Sequence, residues 1–440
     1  MSVLNRWFHL KENQSSLKNE LLAGLTSFST LSYALLLIPL ILSDAGMDFG
    51  AVMTATLITA GVSTLLMGLL ANYPFVLAPG LALTVYFTYV VVLAKGHSWQ
   101  TGLGVVLIGG VLFLILNILG IRQLIIQTIP SAIRIGTTAG LGLFLALIGL
   151  KNAGIIVSHP KTFLTYGDPT APSTILAVIG LIVISVLMIF RIRGALFLGI
   201  VSLWLLGFLF GVSEFKGFVS LPASIAPTFF QFDLRSVFDL HLLDVVIAFL
   251  FVALFDTSAV LIGLAEEGNF LKKCPGNKKR CIYPRISEAL LPDSLGSILA
   301  SFLGTTTLSI YMESATGISV GGRTGLTSVV VAFCFFLALF FTPFVSSIPF
   351  FATAPALIIV GGMMVRGLGK LNWAAPSEWI PAFVTLILIP LTGDIAVGIG
   401  VGFILLPLIK LLTGKMREVH FVTWILALLF LLKFALLPLF

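Results

Sequence analysis

Apolar residues fill this chain in long runs separated by short polar turns, and within each run they occupy all faces of a helix instead of one stripe. Fourteen such runs stand at about 21–42, 51–71, 76–94, 102–120, 131–150, 174–190, 194–211, 243–265, 287–304, 306–322, 325–346, 352–366, 378–391 and 394–413. A further apolar stretch covers about 420–440. Runs of this length suit membrane-crossing helices, whereas a membrane barrel would alternate apolar and polar residues in short strands. The pattern therefore predicts an all-α polytopic membrane protein with 14 transmembrane segments. Composition agrees: 58% of the 440 residues are hydrophobic and 10% are charged, which leaves too little polar surface to cover a soluble fold. The polar opening, residues 1–20, lacks the short apolar core and cleavage site of a signal peptide and is expected to be retained.

Charge orients the runs. With a cytoplasmic N-terminus, 19 Lys and Arg fall on the inner side, and only Lys95, Lys151, Lys161, Lys216 and Arg235 fall outside. The net charge of +7 is thus explained by topology, and no nucleic-acid partner is expected. Lys433 remains in the last stretch. That stretch is expected to lie along the cytoplasmic face, because a fifteenth crossing would bury Lys433 and Pro438 would end the helix early. Its apolar character on every face is the argument for a crossing.

The longest outer loop, about 212–242, carries Glu214, Asp233 and Asp239 and falls near the middle of the chain. It divides the runs into two sets of seven, and an odd number per half makes the halves insert with opposite topology. The third run, "LAPGLALTVYF", then corresponds to the tenth, "GTTTLSIYMESATGISVGG". Pro79–Gly80 interrupts the third. Thr305, Thr306, Thr307, Ser309 and Tyr311 favour extended backbone at the start of the tenth, so its helix is expected to begin near Glu313–Ser314. Broken backbone at membrane depth must be buried in protein or line a cavity, and two breaks at matching positions point to one central site for a polar or anionic ligand. The plainer alternative is that Pro79 kinks a packed helix.

Acids inside the apolar runs carry the candidate chemistry. Asp256 lies well inside the eighth run. Glu313 follows the extended piece of the tenth, where helix capping and ligand contact are compatible roles. Asp293 has packing against the tenth run or the basic loop as its structural reading. Asp394, in "PLTGD", is expected to cap the fourteenth run. None of the five His lies within a run, so coupled protons would travel by carboxylates. Cys274 and Cys281 flank the basic loop "CPGNKKRC", either as a disulfide or metal pair or as two unrelated thiols; no second Cys or His pair completes a zinc site. No H-E-x-x-H occurs, and "LTGDIAVG" lacks the first Gly of a G-x-G-D protease string, so an enzyme is not expected.

These stretches resemble the nucleobase/ascorbate transporter superfamily, and within it the AzgA-like adenine/guanine/hypoxanthine permeases. "GLTSFSTLSYALLLIPLIL" is similar to the family's first span, "ANYPFVLAPGLALTVYF" to its third and "FDTSAVLIGLAEEGNF" to its eighth. "WIPAFVTLILIPLTGDIAVGIGVGF" resembles the closing pair, and "YMESATGISVGGRTGLT" is the most specific match. The resemblance implies two inverted seven-span repeats. A core domain would comprise 21–120 and 243–346. A gate domain would comprise 121–242, with the central loop, and 347–413. The tail would be 414–440. It also implies purine uptake coupled to protons (sodium being the other candidate ion), often by a dimer, at a bacterial inner membrane, with no cofactor.

The positions that the resemblance assigns to substrate are Glu313, Asp256, Thr84 and Ala253, with Pro79, Gly80, Ala82, Tyr311 and Ser314 around them. Asp256 and Glu313 are also the candidates for proton coupling. The chain departs from the family pattern at Thr84, where an Asn is usual, at Ala82, where a Gly is usual, and at Ala253, where an acid is usual. Thr84 keeps one hydrogen-bonding group but loses the paired donor and acceptor of an amide. A transporter of the same fold for an organic or inorganic anion is the alternative. Glu313 would repel such an anion, whereas the missing acid at Ala253 would favour it.

Overall fold

Polar residues just ahead of the apolar runs act as helix caps. In the computed structural model, which describes residues 7–122, 128, 130–159, 163–238, 242–268, 270 and 285–436, α1 (Leu17–Asp44) opens on Ser16, whose hydroxyl accepts from the Asn19 N–H. Asp48 caps α2 (Phe49–Leu66) in the same way through Ala51. π-helical turns extend α2 to Ala71, and Asn72 then ends it in the left-handed conformation. A three-residue strand, β1 (Leu77–Pro79), precedes the short helix α3 (Leu81–Val85), which π-helical turns extend to Ala94. Next come α4 (Trp99–Ile118), α5 (Ser131–Asn152), an antiparallel hairpin of β2 (Ile156–His159) and β3 (Phe163–Tyr166), α6 (Pro172–Ile189) and α7 (Ala195–Leu209).

The chain continues to a second pairing of strand and short helix. This part comprises α8 (Leu243–Glu267), α9 (Ile286–Leu303), the strand β4 (Leu308–Ile310) and the short helix α10 (Ser314–Val320). α11 (Gly325–Ala338), extended by short turns to Ser346, is followed by α12 (Phe350–Val365), α13 (Pro376–Thr392), α14 (Ile395–Leu412) and α15 (Phe421–Leu436). Asp394 caps α14 by accepting from the N–H groups of Ala396 and Val397, as its place in the sequence predicts. Among the described residues, eight of the helices are long and apolar enough to cross a membrane, and shorter apolar helices stand beside them. The chain is a multi-pass membrane protein.

Packing sorts the helices into two groups. In one, α2 lies on α11, α4 on α9, and α1 on both α10 and α11. In the other, α5 lies on α12 and α13, α6 on α7 and α12, and α13 on α14. With few amphipathic faces to guide docking, close approach is set by small residues. A Cβ on Gly142 would sit 2.5 Å from the Gly361 carbonyl, and one on Gly361 would sit 2.3 Å from the Gly142 carbonyl, so α5 and α12 touch backbone to backbone.

Polar links join the groups at the end holding the C-terminus of α1. Tyr89 donates to Asp44 at 2.6 Å, and Asn152 of α5 donates to the Tyr89 hydroxyl at 3.4 Å. Lys95 faces Asp394 of the second group at 3.6 Å. At the same end the 212–238 segment lies over α9: Thr228 donates to the Leu303 carbonyl at 2.8 Å, and Phe230 stacks on Phe302.

Three expectations change. The last apolar stretch does not run along a face. α15 turns back on α14, with Phe430 stacked on Phe403, and Phe430 and Phe434 both seated against Gly400. Gly400 provides a flat place for two rings, and burying Phe430 outweighs the charge-based argument from Lys433, whose side chain lies outside the described residues. Second, Asp293 pairs with Arg122, a partner the sequence did not suggest, while the basic loop lies outside the described residues. Arg122, counted above among the inner charges, is fully buried. Third, the β2–β3 hairpin was not foreseen, because its residues look like an ordinary loop. Cys274, Cys281, Lys161, Asp239, His241 and Pro438 lie outside the described residues. Cys334 is a free, buried thiol on α11.

Candidate functional site

The two breaks meet. β1 and β4 pair antiparallel, with Leu77 opposite Ile310, Ala78 opposite Ser309 and Pro79 opposite Leu308. Backbone groups that the interrupted helices cannot satisfy are satisfied here. Gly80 N donates to the Thr307 carbonyl and Tyr311 N to the Val76 carbonyl, each at 3.0 Å. Side chains complete the set. Thr64 of α2 both donates to the Leu77 carbonyl, at 2.9 Å, and accepts from its N–H, at 3.0 Å. Ser297 of α9 accepts from Leu308 N at 3.1 Å, and Ser314 accepts from Val76 N at 3.0 Å. The Pro79 kink is thus one half of a paired crossing and not an isolated bend.

Both candidate carboxylates border this crossing. Asp256, on α8, accepts from the Ser309 hydroxyl at 2.7 Å, and a Cβ on Gly80 would stand 3.5 Å from its Oδ2. Glu313 occupies the cap position of α10 yet makes no capping bond. Its Oε1 instead accepts from the Tyr33 hydroxyl of α1 at 2.5 Å. Tyr311 donates to the Pro79 carbonyl at 2.6 Å and so fastens the end of β4 to the end of β1. The structure therefore brings Asp256, Glu313, Pro79, Gly80, Tyr311 and Ser314 to one place. Two acids, each holding one hydroxyl, flank a buried backbone crossing, and the arrangement offers anionic acceptors to a ligand rich in N–H donors.

Thr84 and Ala253 are differently placed. Thr84 is fully buried: its hydroxyl faces the Thr306 hydroxyl at 2.8 Å and donates to the Gly80 carbonyl at 2.9 Å. It ties α3 to the threonine run ahead of β4. Ala253 is buried on α8 one turn before Asp256, and Ala82 is buried on α3. Among the described residues, no three His, Cys, Asp or Glu side chains gather as a metal site.

Sequence reasoning passed over Tyr33 and Thr30 and took Arg122 only as an inner charge. Tyr33 carried a signal: it is the one residue with a polar tip in "YALLLIPLIL", a stretch that otherwise offers only apolar side chains. Arg122 sits at the edge of an apolar run, where an arginine reads as a topological charge. In the structure its guanidinium pairs with Asp293, donates to Ser294 at 3.0 Å and covers the Phe113 ring at 4.3 Å.

With this geometry in place, comparison with known proteins gives a consistent set of relatives. The profile of the Permease family matches residues 18–401. The adenine permease AdeP of Escherichia coli is 39% identical over 431 residues, covering 98% of this chain and 96% of its own. The guanine/hypoxanthine permease PbuO of Bacillus subtilis is 40% identical over 436 residues, covering 97% and 99%. Among solved structures, the transmembrane domain of the cyanobacterial bicarbonate transporter BicA superposes with a TM-score of 0.66 at 16% identity, covering 86% of this chain and 97% of that one. At that identity the likeness concerns the fold alone.

Proposed function

The chain belongs to the Permease family, within the nucleobase/ascorbate transporter superfamily, and from that premise we propose that it imports a nucleobase, a purine in the first place, by proton-coupled alternating access. It is a transport protein and not an enzyme. The proposal includes fourteen crossings in two inverted halves, an N-terminus in the cytoplasm and a place in a bacterial inner membrane. The matching of α2 on α11 with α9 on α4, and of β1 with β4, supports the inverted repeat. The two packed groups support a core of α1–α4 with α8–α11 and a gate of α5–α7 with α12–α14.

The observation that carries the substrate class is the pair of carboxylates at the crossing. A purine presents ring and exocyclic N–H groups, which Glu313 and Asp256 can accept from, and charge-assisted bonds of this kind contribute about 1.5–3 kcal/mol each. An anion would meet two acids, which argues against the same-fold alternative. Asp256 is the first candidate for the coupled proton because α8 stands beside both breaks.

The test is uptake of labelled adenine, guanine, hypoxanthine and uracil by cells lacking their own base permeases, at two external pH values. Purine uptake that rises on external acidification and falls at least tenfold in Glu313→Gln is expected. Native-like uptake in Glu313→Gln would remove the site. Uptake of bicarbonate or sulfate, with none of any base, would replace the substrate class.

A further inference from the structure

We propose that Tyr33 is a positioning residue for substrate binding: its hydroxyl fixes the Glu313 carboxylate in the orientation that receives the N–H groups of the base. The inference rests on the site reading above and adds to it a residue that this reading does not contain.

The geometry begins with how α1 and α10 meet. A Cβ on Gly317 would lie 2.2 Å from Ser27 Oγ and 2.8 Å from the Ala23 carbonyl, so only glycine lets the helices approach this closely. One turn along α1, the Thr30 hydroxyl faces Thr316 Oγ1 at 2.9 Å. One turn further, Tyr33 reaches Glu313 at 2.5 Å. Positions 27, 30 and 33 on α1 thus engage 317, 316 and 313 in reverse order. The close contact at Gly317 sets the spacing, and the tyrosine closes the series at the site.

Tyr33 also supplies what α10 does not. A carboxylate at the start of a helix is ordinarily held by the N–H groups of the first turn, but Glu313 makes no such capping bond and has only its own main-chain N–H beside it. The Tyr33 hydroxyl adds a bond from a neighbouring helix. The Tyr33 ring is fully buried on α1 and is not free to follow a moving partner. A phenol donates one hydrogen bond, so it occupies one of roughly four acceptor positions of a carboxylate and leaves the rest for a ligand. A binding group needs this kind of support, because a small misplacement of an acceptor costs much of its value.

A tie that merely joined α1 to α10 would act through stability, and Thr30–Thr316 is the internal comparison. It links the same helices one turn away without touching the carboxylate. The experiment measures KM and Vmax for the best-transported purine, together with melting in detergent, for Tyr33→Phe, Thr30→Val, Glu313→Asp and Glu313→Gln. Tyr33→Phe keeps the ring and removes the donor. We expect its KM to rise about tenfold, with Vmax within about twofold and melting unchanged. Glu313→Asp withdraws the carboxylate from Tyr33 and should give a similar rise, while Thr30→Val should keep a native KM. In the Glu313→Gln background, Tyr33→Phe should change any residual uptake by less than about twofold.

Native KM in Tyr33→Phe, alongside lost uptake in Glu313→Gln, would overturn the role of Tyr33 and leave the site intact. Native uptake in Glu313→Gln would overturn the site itself, and this inference with it. Should Tyr33→Phe fail to reach the membrane, a native KM in Glu313→Asp would still overturn the inference. An equal KM rise in Thr30→Val would do so as well, by reducing Tyr33 to a helix tie.

Discussion

Neutralising one member of the buried Arg122–Asp293 pair should be far more damaging than removing both. The guanidinium is fully buried between α4 and α9. Besides Asp293 it donates to Ser294 Oγ at 3.0 Å and to the Leu290 carbonyl at 3.4 Å, and it stacks over Phe113 at 4.3 Å. Asp293→Asn keeps a hydrogen-bond acceptor but strips the counter-charge, leaving a cation in an apolar interior. Breaking a buried pair from one side costs about 3–5 kcal/mol. That corresponds to a factor of roughly 10²–10³ or more in the folding equilibrium. The other contacts do not make up the loss: the ring contributes about 0.5–2 kcal/mol and is already present in the native protein. Arg122→Met should be as harmful, because it strands the carboxylate. The double variant Arg122→Met with Asp293→Leu fills the same space with apolar groups and should regain most of the loss. Melting in detergent, followed by the fraction that stays monodisperse after heating, measures all four proteins. Single variants that melt with the native protein, or a double variant below both singles, would refute the reasoning.

Other expectations are shorter. Asp256→Asn should abolish accumulation of purine against a gradient while sparing exchange of labelled for unlabelled base; accumulation at the native level would exclude Asp256 from coupling. The native protein should bind hypoxanthine and guanine less selectively than relatives with Asn and an acid at positions 84 and 253. Thr84→Asn with Ala253→Asp should sharpen that selectivity, and because Thr84 bonds the Gly80 carbonyl and Ala253 lies one turn before Asp256 their effects should be non-additive; selective, tight purine uptake by the native protein would count against this. Because α15 turns back along α14, a cysteine placed after Leu436 should react with an impermeant maleimide from outside the cell, and labelling only from inside would contradict that course.

Much of this was legible because membrane helices announce themselves. Each of the fourteen apolar runs contains a helix, eight of the described helices are long and apolar enough to cross a membrane, and the two broken runs break where Pro79–Gly80 and the Thr305–Thr307 run say they should. The meeting of the breaks could be anticipated from the inverted order expected of the halves. The partners could not. Asp293 and Arg122 are 171 residues apart, and an arginine at the end of an apolar run carries no mark of the acid it will meet. Tyr33 lies 280 residues from Glu313, and the link depends on how closely Gly317 lets two helices approach. The course of α15 was misjudged for a similar reason. Lys433 spoke for a surface position, but the flat place at Gly400 that receives Phe430 becomes visible only once α14 and α15 are side by side.

The links from Tyr89 to Asp44 and Asn152, and from Lys95 to Asp394, bear on the tempo of transport. In the orientation proposed above they lie on the outer side, and they join the two packed groups that would have to part for a base to enter. Lys95 and Asp394 are 26% and 19% exposed, so water already reaches them and stands ready to take over each partner's role. Ion pairs of this wet kind contribute about 0–1 kcal/mol. Such a fastening releases readily and refastens readily. In the alternating-access cycle proposed above, whatever occupies the site between Asp256 and Glu313 would then be the weight that tips the balance between outward-closed and outward-open forms.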